Sequence, residues 1–126
     1  MKQMPKILII ESDSALLSTL SEELEQEGYE IDLSVTGGEA LRKLENKPNL
    51  VILDGLLSDI DGLVLLANIK AEKNTRDIPV ILLLESGDES RAISASELGV
   101  VGSIVKTHNG LRSIMKVVGD TLRKTR

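Results

Sequence analysis

LVILD, residues 50–54, is a run of four apolar residues that stops at Asp54, and its reading decides the fold. A run this short, rich in Val, Ile and Leu, reads as a strand buried on both faces. Packing gives such a strand no reason to end in a carboxylate, because a buried Asp costs free energy unless it is paired or bound. KILII (6–10) has the same shape and runs into Glu11, Ser12 and Asp13. Two buried strands that both end in acids imply one acidic site at one end of a sheet.

Outward from these strands, apolar runs alternate with amphipathic segments along the whole chain. Asp13 reads as an N-cap, and Leu16, Leu17, Leu20 and Leu24 recur at helical spacing until Gly28. Glu22, Glu23, Glu25 and Glu27 read as its solvated face. Tyr29 to Val35 alternates apolar and polar, as an edge strand with one wet face does. Thr36-Gly37-Gly38 turns into a second helix carrying Ala40, Leu41 and Leu44, stopped near Asn46 and Pro48. After LVILD, a loop from Gly55 to Gly62 leads to a third helix with Leu63, Val64, Leu65, Leu66 and Ile69.

IPVILLL (78–84) is the fourth strand, with Pro79 at its start. Gly87 and Asp88 open a weaker helix with Ile93, Ala95 and Leu98 that ends at Gly99. Val100 to Val105 is the fifth strand, stopping at Lys106. The last helix uses Leu111, Ile114, Met115, Val118 and Leu122, and its basic end (Arg123, Lys124, Arg126) suits a helix C-terminus without a nucleic-acid explanation.

Short strands alternating with helices predict an α/β fold, a parallel sheet covered on both faces in three layers. Right-handed crossovers restrict five strands to a doubly wound arrangement, and the order 2-1-3-4-5 fits best. Ligands then bind beyond the carboxyl ends of the strands, at the switch point between strands 1 and 3. Glu11 and Asp54 fall there on adjacent strands, about 5 Å apart.

Composition narrows the function. The 126 residues suit one domain spanning the whole chain. With no Cys there are no disulfides and no thiolate sites, which fits a cytoplasmic location. No apolar run reaches about 18 residues and no signal-peptide pattern opens the chain, so neither membrane insertion nor secretion is expected. A net charge of −5 and a single aromatic, Tyr29, argue against nucleic acid or a flat cofactor ring as the partner.

Adjacent carboxylates repel, and a hard cation relieves them; Mg²⁺ is the natural candidate because it bridges carboxylates to phosphate. Lys106, at the end of the fifth strand, adds a mobile positive charge. Carboxylates, a cation and a Lys suit phosphoryl transfer, with an Asp able to act as nucleophile. Other phosphate chemistries fit less well. The chain has no Walker-type loop and no G-x-G-x-x-G after a strand. Asp54-Gly55-Leu56 lacks the second Asp of an aspartyl phosphatase, and the flavodoxin signature is missing. His108, the only His, reads as a loop or helix-start residue rather than a metal ligand.

KILIIESD, GYEI, TGGEALRKL, PNLVILD, DGL, IPVILL, ELGV and IVK, taken in order, resemble a response-regulator receiver domain, the phosphoacceptor module of two-component signalling. The resemblance covers the chain. It implies that Asp54 accepts a phosphoryl group from a histidine kinase or phosphotransfer protein. It implies that Glu11, Asp54 and the Leu56 backbone carbonyl bind Mg²⁺, and that Lys106 partners the phosphate. It implies no enzyme activity beyond self-catalysed phosphorylation and dephosphorylation.

Four positions depart from the family pattern. Ser12 replaces the second acid after strand 1, with Asp13 expected to point elsewhere, so Mg²⁺ binding is expected to be weak. Leu84 replaces the hydroxyl residue ending strand 4, with Ser86 two residues on. Ser103 replaces the aromatic switch residue of strand 5. Lys106-Thr107 replaces the usual cis Lys-Pro; a cis bond without Pro costs about 2.5–4 kcal/mol, so a trans bond and a rearranged loop are expected. The alternative reading is a pseudo-receiver that binds partners independently of phosphorylation. Val100, Val101 and Ile104, with the last two helices, are its candidate dimer or partner face.

Overall fold

The computed structural model describes residues 4–85, 88–107 and 110–124. Among them are five strands, β1 (Lys6–Ile10), β2 (Glu30–Ser34), β3 (Leu50–Asp54), β4 (Val80–Leu84) and β5 (Gly102–Val105). Five α-helices alternate with them: α1 (Ser14–Gln26), α2 (Gly37–Lys43), α3 (Gly62–Ala71), α4 (Glu89–Glu97) and α5 (Gly110–Lys124). The sheet order is β2-β1-β3-β4-β5 with every neighbouring pair parallel, as the alternation predicts.

The period of 2 along each strand divides the core into two layers. Ile7, Ile9, Ile52, Ile81 and Leu83 face α1 and α5, where Leu17, Leu20, Leu24, Ile114, Val118 and Leu122 cover them. Leu8, Ile10, Val51, Leu53, Leu82 and Leu84 face the other way, toward α2, α3 and α4. Every residue of β3 and β4 is buried, as runs without a polar alternation require. Truncating a side chain such as Ile52 to Ala should cost about 2–5 kcal/mol.

Local signals set the helix ends. Asp13 accepts hydrogen bonds from the backbone N–H groups of Ala15 and Leu16, Thr36 from Glu39, and Asp61 from Leu63. Gly28, which stops α1, holds φ at +95°, where a side chain would be strained. Gly62 answers to space instead: a Cβ there would lie 2.3 Å from the Asp54 carbonyl oxygen, so only glycine lets α3 start directly behind the strand end.

Several apolar side chains differ from the sequence-based expectation. Val35, Leu41, Val64 and Ile93 are exposed rather than in the core. Val35 lies one residue past β2. In α2 the inward positions are Gly37 and Ala40, which leaves Leu41 about 100° away from Ala40. In α4 the buried residue is Ala95, and two residues separate positions by about 200°, so Ile93 faces solvent. Strand β5 begins at Gly102, which leaves Val100 and Val101 before it. Ile104 is a correction to the candidate partner face: paired with Leu83, it packs into the α1/α5 layer and is 8% exposed. Val101 remains exposed and Val100 is half-buried against the opposite layer.

Candidate functional site

Pairing of Ile10 with Leu53 places the next residues, Glu11 and Asp54, side by side at the carboxyl ends of β1 and β3. Glu11 is 0% and Asp54 3% exposed, so both carboxylates have left water. Lys106 reaches between them from the end of β5. Its Nζ lies 2.9 Å from Asp54 Oδ1 and 3.1 Å from Glu11 Oε2. Nζ also lies 3.0 Å from Glu11 Oε1, but off hydrogen-bond direction. Oε1 is therefore buried with no hydrogen bond among the described residues.

One ammonium shared by two buried carboxylates leaves a net negative charge, and the proton equilibria show where it settles. Burial, followed by the neighbouring Asp54, pushes Glu11 from its ordinary 4.5 up to about 7. Burial also pushes Asp54 up, but its bonds with Glu11, Lys106 and the Leu56 N–H outweigh that and hold it below the ordinary carboxylate range. Burial alone would lower Lys106; hydrogen bonds to Asp54 and Glu11 turn the net shift upward. Near neutral pH, Asp54 is thus the ionised carboxylate and Glu11 the one that takes a proton.

Ser12 and Asp13 complete the β1 end. Ser12 Oγ donates to Asp54 Oδ2 at 3.1 Å. Asp13 is turned away, its Oδ1 capping α1, while its own N–H donates to Glu11 Oε2 at 3.0 Å. Leu56 is exposed at the rim, and its backbone N–H donates to Asp54 Oδ1 at 3.1 Å. The group lines a cavity of about 420 Å³ together with Ser12, Glu85, Thr107 and Leu111.

The remaining candidate positions lie apart from the carboxylates. Leu84 is buried in the α3/α4 layer and brings no hydroxyl to the site. Ser103 is exposed, paired in register with Leu82 on the α4 side of the sheet. No peptide bond among the described residues is cis, Lys106–Thr107 included. Thr107 N–H donates to Val105 O and Gly110 N–H to Thr107 O, both at 2.9 Å. Ser86, Gly87, His108 and Arg126 lie outside the described residues.

The donor set fits a hard cation. The two carboxylates and the Leu56 backbone carbonyl are oxygen donors, and Glu11 Oε1 beside the cavity has no hydrogen bond among the described residues, only its 3.0 Å ion pair with Lys106. The set is short of anionic charge, because Ser12 stands where another acid would strengthen it, and Lys106 already occupies part of the field.

Two features were not read from the sequence. Glu85, directly after β4, brings a third carboxylate to the rim, 3.9 Å from Lys106 Nζ. Its signal was available, since VILLL-Glu85 repeats the shape of LVILD. Arg91 is the second. From α4 its guanidinium donates to both Asp61 oxygens (Nη1 to Oδ2 3.0 Å, Nη2 to Oδ1 2.6 Å) and to the Gly55 carbonyl at 2.6 Å. It thereby ties α4 to the residue next to Asp54. Asp59 of the same loop accepts from Gly37 and Gly38 N–H, at 2.9 and 3.0 Å, holding the start of α2.

An α/β sheet of this order with an Asp, a Glu and a Lys converging at its switch point defines a receiver-type domain. The chain belongs to the response regulator receiver domain family, whose model matches residues 7–118. It is 35% identical over 104 residues to the phosphate regulon transcriptional regulatory protein PhoB of Rhizobium meliloti (strain 1021), covering 82% of this chain and 46% of that protein. The chain spans about half the length of the curated relatives it matches. Among solved structures, a CheY-like response regulator receiver domain protein from Methanospirillum hungatei JF-1 superposes with a TM-score of 0.86 at 30% identity, over 97% of this chain and 96% of that one. The Mn²⁺-bound form of response regulator Rcp1 superposes with a TM-score of 0.76 at 29% identity, over 91% and 90% of the two chains. Receiver domains are signalling modules of two-component response regulators. No described helix is long and apolar enough to cross a membrane.

Proposed function

We propose that Asp54 accepts a phosphoryl group from the phosphohistidine of a histidine kinase or phosphotransfer protein, and that the acylphosphate changes the contacts the domain makes with partners. The observation that carries this reading is the Asp54–Lys106 pair: an ionised carboxylate at the floor of an open cavity, oriented through Oδ1 by Lys106 and the Leu56 N–H. A carboxylate oxygen attacks phosphorus, the donor P–N bond breaks, and its electron pair leaves on nitrogen, which takes a proton. Lys106 stays charged and offsets the charge of the arriving phosphoryl group. Glu11, Asp54 and the Leu56 carbonyl are the residues that would hold Mg²⁺. Mg²⁺ there would supply positive charge to offset the carboxylates and the phosphoryl group, and binding should be weak because Ser12 is uncharged.

Incubation with phosphoramidate or acetyl phosphate in Mg²⁺ buffer, read by intact mass, tests this. One phosphate should add to the parent and none to Asp54→Asn. Absence from the parent, or persistence in the variant, removes the reading.

A second reading, a phosphorylation-independent interaction module, draws on Leu84 and Ser103. The first is locked in the core and the second is exposed without a ring, so neither is placed to report a phosphate. Its surface would be α4, β5 and α5, with Val101 exposed at the edge and serving a homodimer or another partner. Val101→Asp that leaves partner binding and oligomeric state unchanged removes that surface from consideration.

A further inference from the structure

We infer that the Ser12 hydroxyl positions the incoming phosphoryl group, supplying from the β1 end the donor that Leu84 cannot supply from the β4 end. The inference rests on the reading of Asp54 as phosphoacceptor. The two oxygens of Asp54 differ in their bonds. Oδ1 accepts from Lys106 Nζ at 2.9 Å and from Leu56 N–H at 3.1 Å, which engages both of its lone pairs. Oδ2 accepts from Ser12 Oγ at 3.1 Å. Oδ2 is the oxygen turned toward Ser12, the polar side chain seated against it from the cavity. Ser12 is exposed and lines the cavity with Asp54 and Lys106, so it stands on the route by which a phosphate would enter.

In the transfer, the new bond joins Oδ2 to phosphorus while the donor P–N bond breaks and nitrogen takes a proton. Ser12 keeps its own proton. Its O–H swings from Oδ2, now esterified, to a terminal phosphoryl oxygen. A hydroxyl adds no negative charge beside the arriving phosphoryl group, whereas a carboxylate there would repel it unless a cation intervened. One substitution would thereby weaken the metal site and restore a phosphate donor.

The test compares the parent, Ser12→Ala, Ser12→Thr and Ser12→Asp as full chains, each first shown to be folded by circular dichroism. Phosphoramidate uptake is followed by intact mass with and without Mg²⁺, and Mn²⁺ binding by electron paramagnetic resonance. Ser12→Ala should slow uptake tenfold or more, the loss of a hydrogen bond to a charged group, while Mn²⁺ affinity stays within about twofold. Ser12→Thr should recover most of the rate. Ser12→Asp should bind Mn²⁺ more tightly and take up phosphate only when metal is present. Uptake by Ser12→Ala at the parental rate overturns the inference. So does a proportional loss of Mn²⁺ affinity, which would make the hydroxyl a metal ligand instead. A parent that takes up no phosphate removes the phosphoacceptor reading itself, a result distinct from either.

Discussion

Replacing Arg91 by Ala should destabilise the fold by about 2 kcal/mol. Three charge-assisted hydrogen bonds are lost, two to Asp61 and one to the Gly55 carbonyl. They are not worth equal amounts. The Asp61 side chain is 40% exposed, so its carboxylate rehydrates when the fork leaves, and that part is worth about 1 kcal/mol. Gly55 is buried, but its carbonyl keeps the 3.0 Å bond from the Gly62 N–H, which puts the second part at the low end of the usual penalty, also about 1 kcal/mol. For a chain of 126 residues this corresponds to a fall in Tm of roughly 6–10 °C. Urea unfolding followed by circular dichroism measures it directly. A double-mutant cycle with Asp61→Ala should show a coupling of about 1 kcal/mol. Arg91→Lys should recover less than half, because an ammonium cannot span both Asp61 oxygens and the carbonyl. Arg91→Ala within about 0.5 kcal/mol of the parent, or a fully restored Arg91→Lys, would refute the account of this contact.

Glu11 gives a pH prediction. Its folded value near 7 lies above the ordinary 4.5, so the folded chain holds a proton that the unfolded chain has released. The resulting stability is complete below about pH 4.5 and is lost as pH rises to about 7. Glu11→Gln in chelator-containing buffer should flatten that slope and stabilise the domain at pH 8 by about 2–3 kcal/mol; an unchanged slope in urea midpoints contradicts the assignment. Gly62→Ala should be severe, since its Cβ would overlap the Asp54 carbonyl, and soluble protein with parental Tm would show that the α3 start can shift. Asp13→Ala should cost about 1 kcal/mol through the lost α1 cap and leave phosphoramidate uptake near the parental rate, whereas an Asp13 that ligated the metal would change uptake sharply.

The architecture was legible because β1, β3 and β4 are buried on both faces and carry the continuous apolar runs that announce it. The carboxylates that follow β1 and end β3, Glu11 and Asp54, mark one end of the sheet as the candidate site. Less was legible at the margins. Ile93 and Leu41 were read as core because both sit in apolar-periodic segments, but a short helix packed through Ala95 or Ala40 uses a small residue to approach the sheet and turns its larger neighbour outward. Ile104 lies on an edge strand, which makes it a candidate for a partner face, yet an edge strand still turns alternate residues into the core. The Arg91 contacts had no local signal. Their partners lie 30 and 36 residues away and meet only after the fold has formed. Glu85 did have a signal, in the same strand-to-acid shape that identified Asp54.

The sequence distances within the site bear on how the domain assembles. Lys106 meets Asp54 across 52 residues and Glu11 across 95, so the cation is delivered only when the last strand closes on the sheet. A chain folded as far as β4 would already hold the two acids together with no cation between them. Docking of β5 and α5 then brings the ammonium to both acids as well as covering Ile81 and Leu83, which couples the C-terminal unit to the first strand and favours all-or-none folding. Lys106→Met should loosen this coupling, seen as faster amide exchange in β5 than in β3, whereas the parent should lose protection in both strands together.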